Sequence, residues 1–269
     1  MLKANDGLRL FTRSLPVTNP KGLVVLHHGF SEHCGRYADL IGALNQARYS
    51  VASFDMRGHG RSEGRRGHAP NFRVLLDDYA LILANAQKEW PGINTFLYGH
   101  SMGGTVVLQF ALRHPEGLTG AIIASPFLRL VFAPPPWKVT LGRLMARVWG
   151  GFSLHAGIEF DAFSRVPAIV AIARADPLMH GIMSAAFYAG MTNAARDALA
   201  CASNLRLPTL LAHGKGDRIT DWRASEWFAQ RAGTNATFRP YEGAFHELHN
   251  DLGREVFFRD VVGWLDSCV

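Results

Sequence analysis

The chain has 269 residues, of which 48% are hydrophobic and 27 are glycines. This length accommodates one large α/β domain or two small ones, and the apolar content argues against intrinsic disorder. Lys and Arg outnumber Asp and Glu by 28 to 22, giving a net charge of +6 that permits attraction to phosphates or anionic membranes. The sequence has no cluster of basic residues interleaved with aromatic residues, so we expect no nucleic-acid partner.

The cysteines and the apolar runs bear on where the protein works. Cys34, Cys201 and Cys268 are odd in number and widely spaced, which argues against a disulfide framework and fits a reducing compartment. The first residues lack the apolar core of a signal peptide, and no uninterrupted apolar run is long enough to span a bilayer. We therefore expect a cytoplasmic protein, for which peripheral contact with a membrane stays open. The sequence indicates no oligomeric state.

Strand-like and helix-like segments alternate along residues 1–125. Residues 22–27 form a continuous apolar run, which is typical of a strand buried on both faces of a sheet. Residues 72–90 repeat apolar side chains at helical spacing and stop before Pro91, which predicts a long helix. The strands predicted here are 8–14, 22–27, 50–54, 95–98 and 120–124. The helices predicted here are 37–47, 72–90 and 105–114.

Residues 126–205 interrupt the alternation, and we predict that they form a helical cap inserted into an α/β core. Within them Trp137, Leu144 and Trp149 follow helical spacing, so the segment 137–149 is predicted to be an amphipathic helix. Such a helix either packs its apolar stripe on the core or rests on an anionic membrane interface. Both arrangements are compatible with a cap that lines an entrance for apolar substrates.

The alternation resumes after the cap. The strands and helices predicted there are 208–212, 221–232, 236–239 and 254–267. Strands and helices that alternate in this way predict a mostly parallel central sheet with helices on both faces. The α/β core is thus predicted to consist of 1–125 and 206–269, with the cap inserted between them. Ligands of such folds bind at the carboxyl ends of the strands.

The pentapeptide Gly99-His100-Ser101-Met102-Gly103 matches the Gly-x-Ser-x-Gly pattern of a nucleophile elbow. It lies between the predicted strand 95–98 and the predicted helix 105–114, so it occupies a strand-turn-helix junction. Glycines on both sides of the serine remove the Cβ atoms that would clash in so sharp a turn. The helix that follows points its N-terminal amides at the space above the serine, where an oxyanion would form. We therefore predict Ser101 as the nucleophile.

A serine nucleophile needs an acid and a base, which follow it along the chain in this type of fold. Asp217 comes shortly after the predicted strand 208–212, and His246 comes shortly after the predicted strand 236–239. Both loops lie at the same edge of the sheet as the elbow. We therefore predict Asp217 as the acid and His246 as the base.

Three neighbouring residues compete for these roles. His213 precedes the acid and His249 lies about one helical turn beyond the base, so we assign both to structure. Asp221 stands at the start of the predicted helix 221–232 and suits its N-cap. The tetrapeptide His246-Glu247-Leu248-His249 also resembles a zinc-protease helix signature, but its histidines are three residues apart instead of four. We expect no metal site.

The oxyanion that develops during acyl transfer needs two N–H donors. One is predicted to be the amide of Met102, directly after the nucleophile. The other comes from the loop 27–30, which follows a predicted strand, and we choose the amide of Phe30.

Further motifs stand around these residues along the chain. They are His28-Gly29-Phe30-Ser31-Glu32-His33, Gly35-Arg36-Tyr37, the segment 55–64, the segment 99–104, Ser125-Pro126, Asp176-Pro177-Leu178, the segment 214–217 and the segment 241–246. Together these motifs resemble the monoacylglycerol lipase and lysophospholipase branch of the α/β-hydrolases. They are far more specific jointly than singly, and they cover nearly the whole chain.

The resemblance implies the α/β-hydrolase fold and a serine hydrolase that needs no metal or organic cofactor. It implies the nucleophile, acid, base and oxyanion amides chosen above, and a hydrophobic cap over an acyl tunnel. Five residues of the cap are expected to contact substrate, namely Phe127, Trp137, Leu141, Met145 and Leu178. Phe30 departs from the family pattern, which usually has a small residue there, and its ring is expected to narrow the acyl site or shift substrate preference.

We therefore expect a carboxylic ester hydrolase that cleaves monoacylglycerol-like, single-chain lipid esters through an acyl-enzyme intermediate. A lysophospholipase and a short-chain carboxylesterase are alternatives, because contacts to the head group cannot be read from the cap. A peptidase is compatible with the same three catalytic residues. A protein that only binds ligand is the alternative from another class, although a binder has no need to keep nucleophile, acid and base together.

Overall fold

The structure is a computed structural model that describes residues 1–132, 137, 140, 144–145 and 148–269. The strands in this part of the chain are β1 (Leu2–Lys3), β2 (Arg9–Leu10), β3 (Thr12–Leu15), β4 (Gly22–His27), β5 (Tyr49–Phe54), β6 (Asn94–His100), β7 (Gly120–Ala124), β8 (Ser153–His155), β9 (Ile182–Ser184), β10 (Thr209–Gly214) and β11 (Ala236–Tyr241). The α-helices are α1 (Ala38–Gln46), α2 (Phe72–Glu89), α3 (Ser101–Arg113), α4 (Pro167–Ala175), α5 (Ala185–Ala200), α6 (Trp222–Ala232) and α7 (Arg254–Asp266).

Seven strands form the central sheet in the order β11-β10-β7-β6-β4-β5-β3. All neighbouring strands in it are parallel except β3, which pairs with β5 in the antiparallel direction. This confirms the predicted mostly parallel sheet of an α/β-hydrolase fold. The carboxyl ends of β4, β6, β10 and β11 therefore lie along one edge of the sheet.

Helices cover both faces of this sheet. Along β4, Leu23 and Val25 belong to an apolar cluster that also includes buried residues of α2, α3 and α6. Val24 and Leu26 belong to a second cluster, which includes buried residues of α1 and α7. Because successive side chains of a strand point to opposite faces, one continuous apolar run builds two cores, as a strand buried on both faces requires.

The first predicted strand, 8–14, is wrong as a single element. The chain forms β2, which pairs with β1 in a small separate sheet, and then β3, which joins the central sheet. Between them Phe11 donates its N–H to the Ser62 hydroxyl at 2.8 Å and accepts the Asp55 N–H at 2.9 Å. These bonds to a loop take Phe11 out of both ladders and divide the segment.

The helix after the elbow begins earlier than predicted. The structure starts α3 at Ser101 itself, four residues before the predicted start at Thr105. Glycine and serine are weak helix formers, so the apolar residues at helical spacing that predict this helix begin only after Gly104. The remaining predicted helices and strands outside the cap agree with the structure to within two residues at each end.

Between β7 and β10 the described elements do not join the central sheet. They include α4, α5 and a two-stranded antiparallel sheet formed by β8 and β9. The predicted amphipathic helix 137–149 lies largely outside the described residues. The boundaries proposed at 125/126 and 205/206 stay predictions. No helix in the part of the chain described above has the length and apolar character needed to cross a membrane.

The start of α3 lies so close to the end of β4 that position 103 has no room for a side chain. A Cβ atom on Gly103 would lie 2.2 Å from the carbonyl oxygen of His28 and 2.6 Å from that of His27. By contrast, a Cβ on Gly263 in α7 would meet no atom within 4 Å. The two helical glycines are therefore a matched pair for testing this contact.

We predict that Gly103→Ala lowers the free energy of unfolding by about 1–3 kcal/mol, because the backbone must shift to admit the methyl group. Gly263→Ala should raise it by about 0.5–1 kcal/mol, because alanine loses less backbone entropy in a helix. Urea unfolding of both variants measures the difference. Equal effects at the two sites would show that the contact between α3 and β4 is not tight.

Candidate active site

The proposed nucleophile lies at the junction between β6 and α3. Ser101 has a backbone φ of +53°, in the left-handed region that non-glycine residues rarely adopt. A Cβ on Gly99 would lie 2.7 Å from the carbonyl oxygen of Gly103. The chain therefore turns sharply at Ser101, and such backbone strain, which costs about 1–3 kcal/mol, is frequent at functional sites.

Three side chains that follow three different strands meet at this turn. The Nε2 atom of His246 lies 2.9 Å from the Ser101 hydroxyl oxygen, and its Nδ1 atom lies 2.7 Å from Oδ2 of Asp217. Ser101 follows β6, Asp217 follows β10 and His246 follows β11. All three residues are less than a tenth exposed. This is the hydrogen-bonded chain of hydroxyl, imidazole and carboxylate that serine-based acyl transfer uses.

The carboxylate of Asp217 accepts several further hydrogen bonds. Its Oδ1 accepts the backbone N–H groups of Ile219 and Thr220 at 2.7 and 3.0 Å, and its Oδ2 accepts the Thr220 hydroxyl at 2.8 Å. The Nε2 atom of His213 lies 3.1 Å from the same Oδ2. These contacts fix the carboxylate opposite His246. The sequence interpretation did not anticipate Thr220, because a lone threonine after an acid carries no distinguishing pattern.

The charges of Asp217 and His246 stabilise each other. Burial alone would raise the pKa of Asp217, but the His246 charge and the hydrogen bonds from His213 and His246 outweigh burial and hold that pKa well below its ordinary value. For His246, burial favours a lower pKa, and the Asp217 carboxylate outweighs it and raises the pKa above the ordinary histidine value. An ionised Asp217 is thus in place to stabilise the imidazolium that forms when His246 takes a proton.

Phe30 and Met102 line the same cavity as Ser101. Within the described residues, no atom accepts a hydrogen bond from the backbone N–H of either one. A Cβ on Gly29 would lie only 3.0 Å from the Cβ of Ser101, so the loop after β4 approaches the serine closely. The two amides are therefore available for an oxyanion, one at the start of α3 and one in this loop.

His28 fixes the peptide that carries the Phe30 amide. Its Nδ1 lies 2.7 Å from the carbonyl oxygen of Gly29, and its Nε2 accepts the Met56 N–H at 2.8 Å. Burial holds the pKa of His28 well below its ordinary value, so the ring stays neutral. A neutral ring that accepts at Nε2 carries its proton on Nδ1, which it donates to Gly29. The Phe30 N–H, on the opposite side of that peptide, is left facing away from His28.

A cavity of about 710 Å³ opens above Ser101. Among the residues predicted to contact substrate, Phe127, Trp137 and Met145 line it. Leu141 lies outside the described residues. The other apolar residues that line the cavity include Phe132, Phe152, Leu154, Ile158, Phe163, Met183 and Ile219. A volume of this size is typical of pockets that enclose a small organic ligand.

Leu178 is not among the residues that line the cavity, so the prediction that it contacts substrate is not supported. Its backbone N–H is donated to Asp176 Oδ1 at 2.8 Å, and the other carboxylate oxygen of Asp176 lies 2.8 Å from Nε2 of His33. The Asp176-Pro177-Leu178 motif therefore connects the cap region to the loop after β4. The sequence motif located the segment but not its role.

The large ring of Phe30 has its own place in the structure. Its ring centroid lies 5.5 Å from that of His59, 6.1 Å from that of His180 and 6.0 Å from that of Phe187. These three rings surround one side of Phe30 while another side contributes to the cavity wall. The phenyl ring is thus a fixed part of the cavity wall next to one of the two amides proposed to bind the oxyanion.

Residues 18–253 match the family model described as serine aminopeptidase S33. A monoacylglycerol lipase from Mycolicibacterium smegmatis is 30% identical over 254 residues, which cover 94% of this chain and 90% of that protein. The chain is a member of this serine hydrolase family. The human monoglyceride lipase is 34% identical over 254 residues, covering 92% of this chain and 82% of the human protein.

A solved structure of this family agrees with the same assignment. The crystal structure of a monoacylglycerol lipase from Paleococcus ferrophilus superposes with a TM-score of 0.89 at 32% sequence identity, covering 97% of this chain and all of that one. The recognition of the family from scattered motifs is thereby confirmed. In the parts of the chain that the structure describes, no group of three or more His, Cys, Asp or Glu residues is arranged to hold a metal ion.

The raised pKa of His246 predicts the pH dependence of Ser101 reactivity. His246 accepts a proton only when neutral, so the rate should fall as pH drops through this pKa, with a midpoint above the ordinary histidine value. Asp217→Asn should move the midpoint to lower pH and reduce the plateau rate by about 10⁴-fold, the loss seen when the acid of such a triad is replaced in this way.

The rate of Ser101 labelling by a fluorophosphonate probe, followed over pH, measures both effects. Asp221→Asn, which removes a nearby surface carboxylate that caps α6, is the matched control and should leave the profile unchanged. A midpoint for Asp217→Asn at or above that of the unmodified protein would contradict the charge interaction described here.

Proposed function

We propose that this chain is a serine ester hydrolase that cleaves monoacylglycerols and related single-chain lipid esters through an acyl-enzyme. The observation that carries the proposal is the hydrogen-bonded chain of Ser101, His246 and Asp217 at the floor of an apolar cavity. The names of the related proteins support the choice of monoacylglycerol as the substrate class.

In the proposed first half of the reaction, His246 Nε2 takes the proton of the Ser101 hydroxyl as Oγ attacks the ester carbonyl carbon. The carbonyl oxygen becomes an oxyanion, which the amides of Phe30 and Met102 stabilise. The intermediate collapses, the bond to the glycerol oxygen breaks, and His246 gives its proton to that oxygen. Glycerol leaves and the acyl group stays on Ser101.

In the proposed second half, water replaces the glycerol. His246 takes a proton from the water as its oxygen attacks the acyl carbon, and the same two amides hold the second oxyanion. The bond to Ser101 Oγ then breaks and His246 returns the proton to the serine. The products are a fatty acid and the free enzyme, and Asp217 remains ionised throughout.

The apolar wall of the cavity supports a lipid acyl chain as the group held above Ser101. Phe127, Phe152, Phe163 and Met183 lie on this wall, and each methylene buried there contributes about 0.8 kcal/mol. Binding free energy that grows with chain length favours long acyl groups over short ones. This distinguishes the proposed lipase from a short-chain carboxylesterase that shares the same chemistry.

A hydrolysis series at fixed pH tests this function. Monoacylglycerols of increasing chain length are compared with matched lysophospholipids and short p-nitrophenyl esters, using Ser101→Ala as the control. We expect kcat/KM to rise with acyl length, to be highest for monoacylglycerols, and to fall to background in Ser101→Ala.

Other outcomes of the series are equally informative. Activity confined to short esters would contradict the lipid substrate but not the mechanism, and a preference for lysophospholipids would change the head group. A folded protein that neither hydrolyses esters nor reacts with a fluorophosphonate would be a binding protein instead. Most of the activity surviving in Ser101→Ala would overturn the choice of nucleophile.

We also propose that the protein contacts a lipid surface around the mouth of its cavity. Six large apolar residues among those described in this region are more than half exposed, namely Phe132 at 79%, Val148 at 76%, Trp137 at 64%, Leu154 at 63%, Trp149 at 60% and Leu144 at 56%. Phe132 and Leu154 also line the cavity, so an acyl chain passing from membrane to enzyme would cross apolar surface throughout. Exposed tryptophan and aliphatic side chains are typical of surfaces that lie in a membrane interface.

The double variant Val148→Ser/Trp149→Ser tests the membrane contact without altering the cavity wall. We expect several-fold weaker co-sedimentation with anionic vesicles and slower hydrolysis of vesicle-borne monoacylglycerol, while hydrolysis of a water-soluble short ester stays unchanged. Trp227→Ser, on α6 and 42% exposed, is the matched control. Unchanged vesicle binding in the double variant would contradict the contact. The cytoplasmic location remains a prediction.

A further inference from the structure

Two buried glutamates stand beside the proposed catalytic groups. Glu32 lies in the loop after β4, two residues beyond Phe30, and Glu247 directly follows His246. Both line the cavity, yet they are only 3% and 2% exposed. A buried carboxylate is costly unless it is paired and hydrogen-bonded, so their partners indicate what they do.

Glu32 is hydrogen-bonded to its own loop. Its Oε1 accepts the backbone N–H of Gly29 at 2.6 Å and the hydroxyl of Tyr37 at 2.7 Å. The Gly29 N–H belongs to the peptide directly before the one that carries the Phe30 amide. With His28 bonded to the Gly29 carbonyl, both peptides around Gly29 are held by side chains.

Arg36 connects this loop to the loop of the proposed base. Its Nη2 donates a hydrogen bond to Oε2 of Glu247 at 2.5 Å. Its Nε lies 3.5 Å from Oε2 of Glu32, an electrostatic contact without a hydrogen bond. Asn250 donates its side-chain N–H to the same Oε2 of Glu247 at 2.8 Å. The Arg36 side chain is itself only 5% exposed, so solvent screens its pairing with Glu247 little.

The sheet does not make this connection. Three strands, β6, β7 and β10, separate β4 from β11 in the strand order. No ladder hydrogen bond therefore joins the loop that carries Phe30 to the loop that carries His246. Both loops must nevertheless be aligned with Ser101 to within a fraction of an ångström, because small misplacements of catalytic groups are costly.

The pKa shifts of Glu32 and Glu247 are consistent with Arg36 joining the loop after β4 to the loop after β11. Burial together with the Glu247 charge raises the pKa of Glu32 to about 7. For Glu247 burial alone would raise the pKa, but the Arg36 charge outweighs burial and lowers it. Arg36 and Glu247 thus form the ionised pair, while Glu32 acts mainly as a hydrogen-bond acceptor for Gly29 and Tyr37.

We propose that Glu32, Arg36 and Glu247 form a buried bridge that holds the Phe30 amide and the His246 imidazole in register on either side of Ser101. In this bridge Glu32 and Arg36 are positioning residues for acylation, acting through the oxyanion amide and the base. The inference rests on the proposed ester hydrolase function and adds to it the residues that align its two halves.

Paired substitutions at Glu32 test the bridge. Glu32→Leu keeps the volume but removes the acceptor for the Gly29 N–H, and we expect kcat to fall by about 100-fold, the loss that follows a misplacement of about 1 Å. KM should change by less than about threefold, because the acyl wall is intact. Glu32→Gln keeps the acceptor, so its kcat should be only about tenfold below that of the unmodified enzyme. Arg36→Lys, which cannot span both glutamates, should lower kcat in the same way.

A matched control separates positioning from general destabilisation. Arg57→Lys disrupts another buried ion pair, in which Arg57 Nε lies 2.6 Å from Asp78 and the guanidinium is 3% exposed, and none of its atoms line the cavity. At a similar loss of thermal stability, this variant should retain its kcat. The unmodified enzyme and Ser101→Ala, measured in the same assay, report on the proposed function independently of the bridge.

The bridge is overturned if Glu32→Leu and Glu32→Gln lose equal activity, or if the loss in the bridge variants matches that of Arg57→Lys at equal stability. Should Glu32→Leu not fold, Glu32→Gln and Arg36→Lys keep polar side chains in the same space and carry the comparison. A kcat for Arg36→Lys equal to that of the unmodified enzyme would likewise reject the proposal.

Discussion

The site depends on one close backbone contact, between the start of α3 and the loop after β4. Gly103 has no room for a Cβ atom, because such an atom would lie 2.2 Å from the carbonyl oxygen of His28. A Cβ on Gly29 would lie 3.0 Å from the Cβ of Ser101, so the contact is tight from both sides. This contact brings the Phe30 amide close to Ser101, which begins α3. The position of the proposed oxyanion site, which consists of main-chain amides, is thereby set first by the packing of a helix on a strand.

The parallel sheet explains why the other groups arrive at the same place. Ser101 follows β6, Asp217 follows β10 and His246 follows β11, and parallel strands end along one edge. The ladders between neighbouring strands fix the heights of these strand ends relative to one another. Hydrogen bonds from Thr220, Ile219 and His213 orient the carboxylate. The strongly lowered pKa of Asp217 follows from the meeting of strand ends, since the His246 charge and the hydrogen bonds from His213 and His246 outweigh burial.

The reacting groups are thus positioned in two ways. The sheet and helices bring the loops to one edge, and buried polar contacts set their fine alignment. His28 fixes one peptide of the loop after β4, and Glu32 fixes the adjacent one. Arg36 extends this alignment to the loop of His246 through Glu247. The side chains of His28, Glu32, Arg36 and Glu247 are all buried, and the low dielectric constant of the protein interior strengthens their interactions.

Much of this architecture could be predicted from the sequence because it depends on local patterns. Apolar runs gave the strands, helical spacing gave the helices, and the order of Ser101, Asp217 and His246 followed from the strands that precede them. The interruption at Phe11 could not be predicted, since it depends on hydrogen bonds to Asp55 and Ser62, more than forty residues away in the sequence.

The buried polar contacts that align the loops, such as that between Arg36 and Glu247, could not be predicted from the sequence either. Arg36 and Glu247 are 211 positions apart, and neither belongs to a pattern that indicates pairing. The early start of α3 was hidden because a serine and two glycines carry little helical signal. Leu178 lies outside the described lining of the cavity for a related reason. Its motif marks a conformation held by Asp176, whereas the position of a leucine relative to a cavity depends on the whole fold.

The central claim is that Ser101 carries the acyl group during turnover. Rapid-quench mass spectrometry of the enzyme mixed with a long-chain monoacylglycerol measures this directly, because the acyl mass can be assigned to the peptide that contains Ser101. We expect an acylated peptide that forms before steady state and decays once the substrate has been converted to fatty acid. Sustained hydrolysis with no acyl mass on Ser101, under conditions where deacylation is slowed by low temperature, would contradict it.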